Sequence, residues 1–183
     1  MDKQFSPRKL DVKSFAEAGA VIDGAAPIGE FKRLEAETAG ASQQAQVEWT
    51  ATGEVRNPLH VHPDIWLHLR AGATLPLTCQ RCLQPVDVDV EVERSFRFVA
   101  DEETAQAQDD EAEEDLLALS RAFDLHELIE DEMLLEMPIA PRHDVCPEPV
   151  VLSVEDPGFE AANEERENPF AVLGKLKPGK KES

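Results

Sequence analysis

Two short steps carry residue types that could do chemistry: Cys79-Gln80-Arg81-Cys82 and His143-Asp144-Val145-Cys146. Each sets two ligand-capable side chains three positions apart, a spacing that lets both converge on one ion. Cys79, Cys82, His143 and Cys146 together have the composition of a tetrahedral zinc site, three thiolates and an imidazole. Roughly sixty residues separate the two steps, so a shared ion requires the chain to return to the first. Two other readings stay open. A thioredoxin-like redox pair opens a helix inside a βαβ unit, where the helix end lowers the thiol pKa, whereas this step lies between strand-like segments. The plainest reading makes Cys79 and Cys82 small packing residues in a turn, and it asks least of the rest of the chain.

Other catalytic arrangements are missing from the pattern. No glycine loop suited to phosphates and no serine-nucleophile motif occurs, and His60, His62, His68, His126 and His143 form no helix-face metal pair. Carboxylates are abundant, but abundance without a pocket signal is no evidence for acid–base work. A non-enzymatic protein with no small-molecule substrate is expected.

The elements that must position the cysteines are legible in the alternation. Ile65, Leu67, Leu69, Ala71, Ala73, Leu75 and Leu77 share one parity. Downstream, Val86, Val88, Val90, Val92, Phe96 and Phe98 share another, with Asp87, Asp89, Glu91 and Glu93 between them. A period of two means strands buried on one face. The cysteines therefore fall at the tip of a long antiparallel hairpin over about 61–99. Val47, Trp49, Ala51 and Val55 suggest an earlier strand, with a bulge near Gly53. Strands this long need a sheet of at least three.

Asp124 and Glu127 form a capping box for a helix over 125–136, stopped by Pro138. Its apolar stripe (Leu125, Leu128, Ile129, Met133, Leu135) is expected on the sheet, with Glu127, Glu130, Asp131 and Glu136 facing water or a partner. Two short N-terminal helices are expected, one capped by Ser14 with Glu17, the other over 27–39 with Phe31 and Leu34 inward. From Asp101 to Glu114 no apolar residue exceeds alanine in size, which predicts a mobile acidic loop. Asp115–Leu119 reads equally as a strand or a helix start.

The expected fold class is α+β: an antiparallel sheet packed by a capped acidic helix, with short N-terminal helices and a mostly disordered tail. Three regions follow: a helical segment 1–43, a sheet-and-helix core 44–141, and a flexible tail 142–183. The tail holds an apolar island, Asn168-Pro169-Phe170-Ala171-Val172-Leu173, followed by Lys175, Lys177, Lys180 and Lys181. It reads as a short linear binding motif over 168–173.

The net charge of −20 over 183 residues excludes broad nucleic-acid binding by the body of the protein. Between Asp101 and Glu136, fifteen acidic residues face one basic residue, Arg121. Phosphate binding is driven by Lys and Arg displacing counterions; this field repels phosphate and attracts basic partners. No apolar run is long enough to span a bilayer. The first residues lack a secretory signal, and three cysteines make no disulfide framework. A cytoplasmic location is expected.

Four features taken in order resemble the YceD family, the bacterial large ribosomal RNA subunit accumulation proteins. They are Leu75-Pro76-Leu77-Thr78-Cys79-Gln80-Arg81-Cys82-Leu83, the acidic segment, the stretch from Asp124 to Pro141 with Glu130-Asp131-Glu132 and Leu134-Leu135-Glu136-Met137-Pro138, and the Asn168–Leu173 island. The resemblance implies a cytosolic, non-enzymatic factor that promotes accumulation of 23S ribosomal RNA through its synthesis, processing or protection. Some relatives carry extra cysteines after the helix, where this chain has only His143 and Cys146. Joined with the charge, the resemblance suggests an acidic adaptor for a basic ribosomal protein or processing factor. Arg81, Glu127, Glu130, Asp131, Asn168, Pro169, Phe170 and Leu173 would be its contacts. The competing class is a small zinc-stabilised RNA-binding protein that uses Arg81 and the terminal lysines on ribosomal RNA.

Overall fold

The alternating segments form the strands expected of them, inside a larger and mixed sheet. The computed structural model describes residues 5–40 and 45–148, together with Val154 and Phe170. The chain divides into two compact units, Met1–Cys146 and Pro147–Ser183, and every element below belongs to the first. In chain order these are α1 (Val12–Glu17), β1 (Val21–Pro27), a 3-10 turn (Ile28–Glu30), α2 (Lys32–Ala36), β2 (Gln46–Arg56), β3 (Asp64–Thr78), β4 (Pro85–Val99), α3 (Glu102–Gln108), β5 (Asp115–Ala118) and α4 (Leu125–Glu136). His143 and Cys146 thus fall in the same unit as the sheet, although the sequence assigns them to the tail. The expected disorder of the rest of the tail concerns residues outside those described.

The sheet runs β1-β2-β3-β4-β5. The first four strands are an antiparallel meander, and β5 pairs with β4 in parallel. A parallel neighbour needs a crossover, and residues 102–114 supply it. This is why the expected mobile loop is instead built around α3. Asp101 caps that helix by accepting from the backbone N–H of Thr104 at 2.8 Å, and Glu102 and Glu103 suit the positive end of its dipole. Ala105 is buried, and Arg97 of β4 holds Glu114 and, at 3.4 Å, Gln108. A small buried residue and a strand-borne arginine replace the large apolar side chains whose absence suggested mobility.

Pairing is continuous through β2, from Glu48↔Gly72 to Arg56↔Asp64, so no bulge occurs at Gly53. Glycine is needed there for a different reason. A Cβ would lie 2.8 Å from both Ala16 Cα and Phe15 Cδ1, because α1 rests directly on this point of the strand. The cap of α1 is Asp11, which accepts from the Ser14 N–H at 3.0 Å; Ser14 is the capped residue and not the cap. Strand β1 was not signalled, since Gly24-Ala25-Ala26-Pro27 has little β-propensity. Its pairing with β2 places Gly24 opposite Trp49, and a Cβ on Gly24 would sit 2.3 Å from the indole ring.

Helices α1 and α4 both pack on one side of the sheet, α1 against β2 and β3, α4 against β3 and β4. The inward parity of the hairpin meets them: Leu67, Leu69, Leu75 and Phe96 are fully or nearly fully buried with Leu125, Ile129 and Met133. The other parity carries Thr50, His68, Arg70, Asp89 and Glu91, which among the described residues no helix covers. Asp124 caps α4 as expected, accepting from His126 and Glu127 N–H at 2.9 and 3.2 Å. Leu135 departs from expectation by facing outward. Glu132 is mostly covered, 3.7 Å from Arg94, and burial pushes its carboxyl above the usual range while Arg94 opposes.

His126 is the one core side chain that the stripe did not include. It is only 9% exposed, stacks on Phe31 with centroids 5.3 Å apart, meets the edge of Trp49 at 4.8 Å, and leaves Nδ1 without a partner. Burial pushes its pKa down, helped by Arg8 and opposed by Asp124 and Glu30.

Two outcomes follow from this packing. Gly53→Ala should lose about 1–3 kcal/mol of unfolding free energy by overpacking against α1, measured by urea denaturation; an unchanged midpoint would show that α1 does not bear on β2. Because the folded-state pKa of His126 lies below its unfolded value of about 6.5, the unfolded chain takes the proton first. Stability from this group is therefore present above that pH and falls as pH drops below it. Thermal melts between pH 7 and 5 should show a smaller acid loss in His126→Leu than in the parent chain; equal losses would place the titration elsewhere.

Candidate metal centre

The last hairpin pair is Thr78↔Pro85, so residues 79–84 must turn the chain. Cys79 N–H donates to Gln84 O and Leu83 N–H donates to Cys79 O, both at 2.9 Å. Leu83 takes φ +62° to close this turn, a left-handed conformation that is uncommon for a side chain of its size. The fold at the tip gathers the sulfurs of Cys79 and Cys82. Cys79 is fully buried and Cys82 half-buried.

Helix α4 removes the long sequence gap. It packs along β3 and β4 and ends at Met137, whose extended ψ of 138° precedes Pro138. Proline disfavours the helical conformation in the residue before it. The chain then runs to Pro141, whose carbonyl accepts the Gln80 N–H at 2.8 Å. That bond docks the returning segment on the cysteine turn, and the next residues deliver His143 and Cys146.

All four sequence candidates come together. One ligand atom each from Cys79, Cys82, His143 and Cys146 lies within 4.8 Å of every other, and Cys82 Sγ is 3.4 Å from His143 Nδ1. Zinc–sulfur bonds of about 2.3 Å in tetrahedral geometry place ligand atoms roughly 3.8 Å apart, so the quartet needs little contraction. Burial acts to raise the Cys79 thiol, yet backbone hydrogen bonds from Cys82, His143 and Arg81, with the His143 side chain, bring it down to about 5. Burial pushes the Cys146 thiol up, and the neighbouring Cys82 and Cys79 sulfurs push it further. One sulfur is thus prepared as an anion, while another resists ionising beside it. A divalent cation relieves that conflict. Four protein donors leave no open position for water or substrate, the pattern of a structural rather than a catalytic ion. The cluster could hold a metal ion such as zinc.

The other expected contacts divide. Arg81 is exposed within the turn, and Glu127 is exposed on α4. Glu130 and Asp131 are engaged inside the fold by Arg33, which the sequence did not single out. Its Nε and Nη1 donate to Glu130 Oε2 at 3.0 Å and to Asp131 Oδ1 at 2.5 Å. Glu130 Oε1 also accepts the backbone N–H groups of Arg33 and Leu34 at 2.7 and 3.2 Å, capping α2 from a different helix. Helical periodicity cannot reveal a cap contributed from 96 or 97 residues away. Phe170 is exposed; Asn168, Pro169 and Leu173 lie outside the described residues.

The family model for the large ribosomal RNA subunit accumulation protein YceD matches residues 67–177, more than half of the chain. No solved structure matches. The matched span takes in nearly all of β3, all of β4, the crossover, α4 and the four clustered ligands, and leaves out α1, β1, α2 and β2. The chain belongs to the YceD family of large ribosomal RNA subunit accumulation proteins.

Proposed function

We propose that this chain is a non-enzymatic adaptor in large-subunit ribosomal RNA accumulation, with a structural zinc ion at its hairpin tip and a carboxylate-lined sheet face that receives a basic ribosomal protein or processing factor. Family membership supports the role in ribosomal RNA accumulation. The observation that carries the adaptor reading is the outward row of β4. Asp87, Asp89, Glu91 and Glu93 are exposed at every second position, about 7 Å apart along the strand. Asp89, Glu91 and Glu93 line an open trough of about 980 Å³ with Asp23 and Glu48. Gly72 pairs with both Glu48 and Glu91, so the floor between those two glutamates carries no side chain. A lysine or arginine from a partner fits such a slot by charge and by space. Arg70, the one arginine lining the trough, is already paired with Glu93 at 2.6 Å.

Zinc fits the donor set of the hairpin tip: three sulfurs and one imidazole nitrogen, already gathered, with no fifth protein donor required. Cys79 and Cys82 would hold it from the turn, and His143 and Cys146 from the returning segment. Its contribution is to fasten the segment after α4 to the β3–β4 tip.

Purified chain should carry one zinc ion by elemental analysis, and Cys82→Ser should lose it. In hydrogen exchange, chelation should deprotect the Gln80 amide, which is bonded to the Pro141 carbonyl of the returning segment, before it deprotects the centre of β3. Equal protection with and without metal would remove zinc as the fastener. For the carboxylate row of β4, Asp89→Lys, Glu91→Lys and Glu93→Lys combined should slow association with a basic ribosomal protein by about tenfold or more at low salt. The same reversal at Asp109, Asp110 and Glu111 should have a smaller effect. Affinity purification that recovers ribosomal RNA but no basic protein would contradict the adaptor reading.

A further inference from the structure

Outside the short stretch that β5 covers, β4 is an open sheet edge. Strand β5 pairs only with Phe96–Val99, and among the described residues no strand lies beside residues 85–95 on that side. Three hydrogen bonds fix which backbone groups face this edge. Gln84 O accepts the Cys79 N–H across the turn, whereas Val99 O accepts the Leu119 N–H on the β5 side. Pro76, which pairs with Asp87, turns its carbonyl away from β4 to accept the Ala39 N–H. Backbone groups alternate sides along an antiparallel strand, and the pairing of β3 with β4 runs unbroken. Even-numbered residues of β4 therefore bond to β3, while Asp87, Asp89, Glu91 and Glu93 aim N–H and C=O at the open edge.

The side chains of those same residues decide what can approach. All four are exposed carboxylates. Thr74 donates to Asp89 at 2.6 Å, and Arg70 pairs with Glu93 at 2.6 Å. Asp87 and Glu91 instead face Pro76 and Gly72 across the ladder, neither of which carries a side-chain donor. These two carboxylates have no hydrogen bond or ion pair among the described residues, and they lie about 13 Å apart along the strand. A row of like charge repels a second copy of itself, which is how charged edges block self-pairing. The opposite edge differs: β1 carries one carboxylate, Asp23, already bonded to Thr50 at 2.8 Å, and ends on Pro27.

We infer that β4 accepts an added strand at this edge: an extended segment of a basic protein, with lysine or arginine at two positions four apart, opposite Asp87 and Glu91. Its backbone completes the bonds that Asp87, Asp89, Glu91 and Glu93 leave open, the strand-addition mode of peptide recognition. Residues of its other parity fall beside Val86, Val88, Val90 and Val92, the first two half-buried and the last two buried, so that face favours apolar side chains. The inference rests on the adaptor reading for the basic character of the partner, and adds the mode of contact and the spacing.

The probe is a fluorescent nine-residue peptide of alternating threonine and valine, with lysines in place of two threonines four positions apart, titrated against the full chain. Binding should slow exchange of the Asp87, Asp89, Glu91 and Glu93 amides by about tenfold or more, read by NMR. N-methylation of every second peptide amide should abolish binding in one parity and spare it in the other, because only one set faces β4. Asp87→Asn with Glu91→Gln should weaken binding by about 2- to 30-fold, the loss of two cross-strand charge pairs. No binding, indifference to N-methylation in both parities, or an equal loss in Asp109→Asn with Asp110→Asn would overturn the inference. So would β4 amides already slow in the free chain, since the edge would then be taken by the chain itself or by a second copy. A basic ribosomal protein that binds the full chain yet leaves these amides exchanging freely would end this inference and keep the adaptor reading. Peptide addition with no basic protein recovered from cells would instead end the adaptor reading.

Discussion

The register of the β3–β4 hairpin is the constraint on which the rest of the structure depends. Fourteen consecutive pairs run from Ile65↔Phe98 to Thr78↔Pro85. A slip of one residue would turn every inward valine and leucine to solvent and every aspartate and glutamate to the core. The cost of burying even one unpaired carboxylate is several kcal/mol, so the alternation itself excludes the wrong pairing. The turn at 79–84 must then fit between strands whose pairing is already decided. Its two backbone bonds, Cys79 to Gln84 and Leu83 to Cys79, are compatible with that register, and they gather the first two ligands as a consequence. Position of the metal centre is thus inherited from hydrophobic patterning many residues away.

The second half of the centre depends on α4, and α4 depends on its underside and on Arg33. Leu125, Ile129 and Met133 are fully buried against the sheet, which fixes the direction in which the helix returns the chain. Arg33 ties Glu130 and Asp131 to α2, so part of the acidity that looks available for partners is spent within the fold. Glu130 is the more instructive of the two, since its carboxylate both pairs with the guanidinium and caps α2. Asp87, Asp89, Glu91 and Glu93 along β4 stay exposed instead. Ionised groups in this protein serve two separate ends, and sequence runs of one sign do not distinguish them.

Much of the hairpin was legible because period-two alternation reports burial directly. The α4 boundaries were legible because Asp124 and Pro138 are local signals at both ends. What was not legible depended on partners distant in sequence. Strand β1 is weak in propensity and is a strand because Gly24 admits the Trp49 ring against it. Helix α3 contains no large apolar residue and is held by Arg97 of β4 acting on Glu114 and Gln108. Gly53 read as a bulge because glycine in a strand often marks one, whereas the reason is the close approach of α1. The ligand quartet was recognisable as residue types, but its assembly was not, because the Gln80–Pro141 bond that brings the halves together leaves no trace in spacing.

A structural zinc at the hairpin tip would unite these dependencies, since two of its ligands come from the register and two from the return of α4. X-ray absorption at the zinc edge of the purified full-length chain tests that claim most directly. The expected spectrum fits three sulfur neighbours at about 2.3 Å and one nitrogen at about 2.0 Å, with one sulfur lost in Cys146→Ser. A site with only nitrogen and oxygen neighbours, or a chain whose zinc spectrum does not change in that variant, would contradict it.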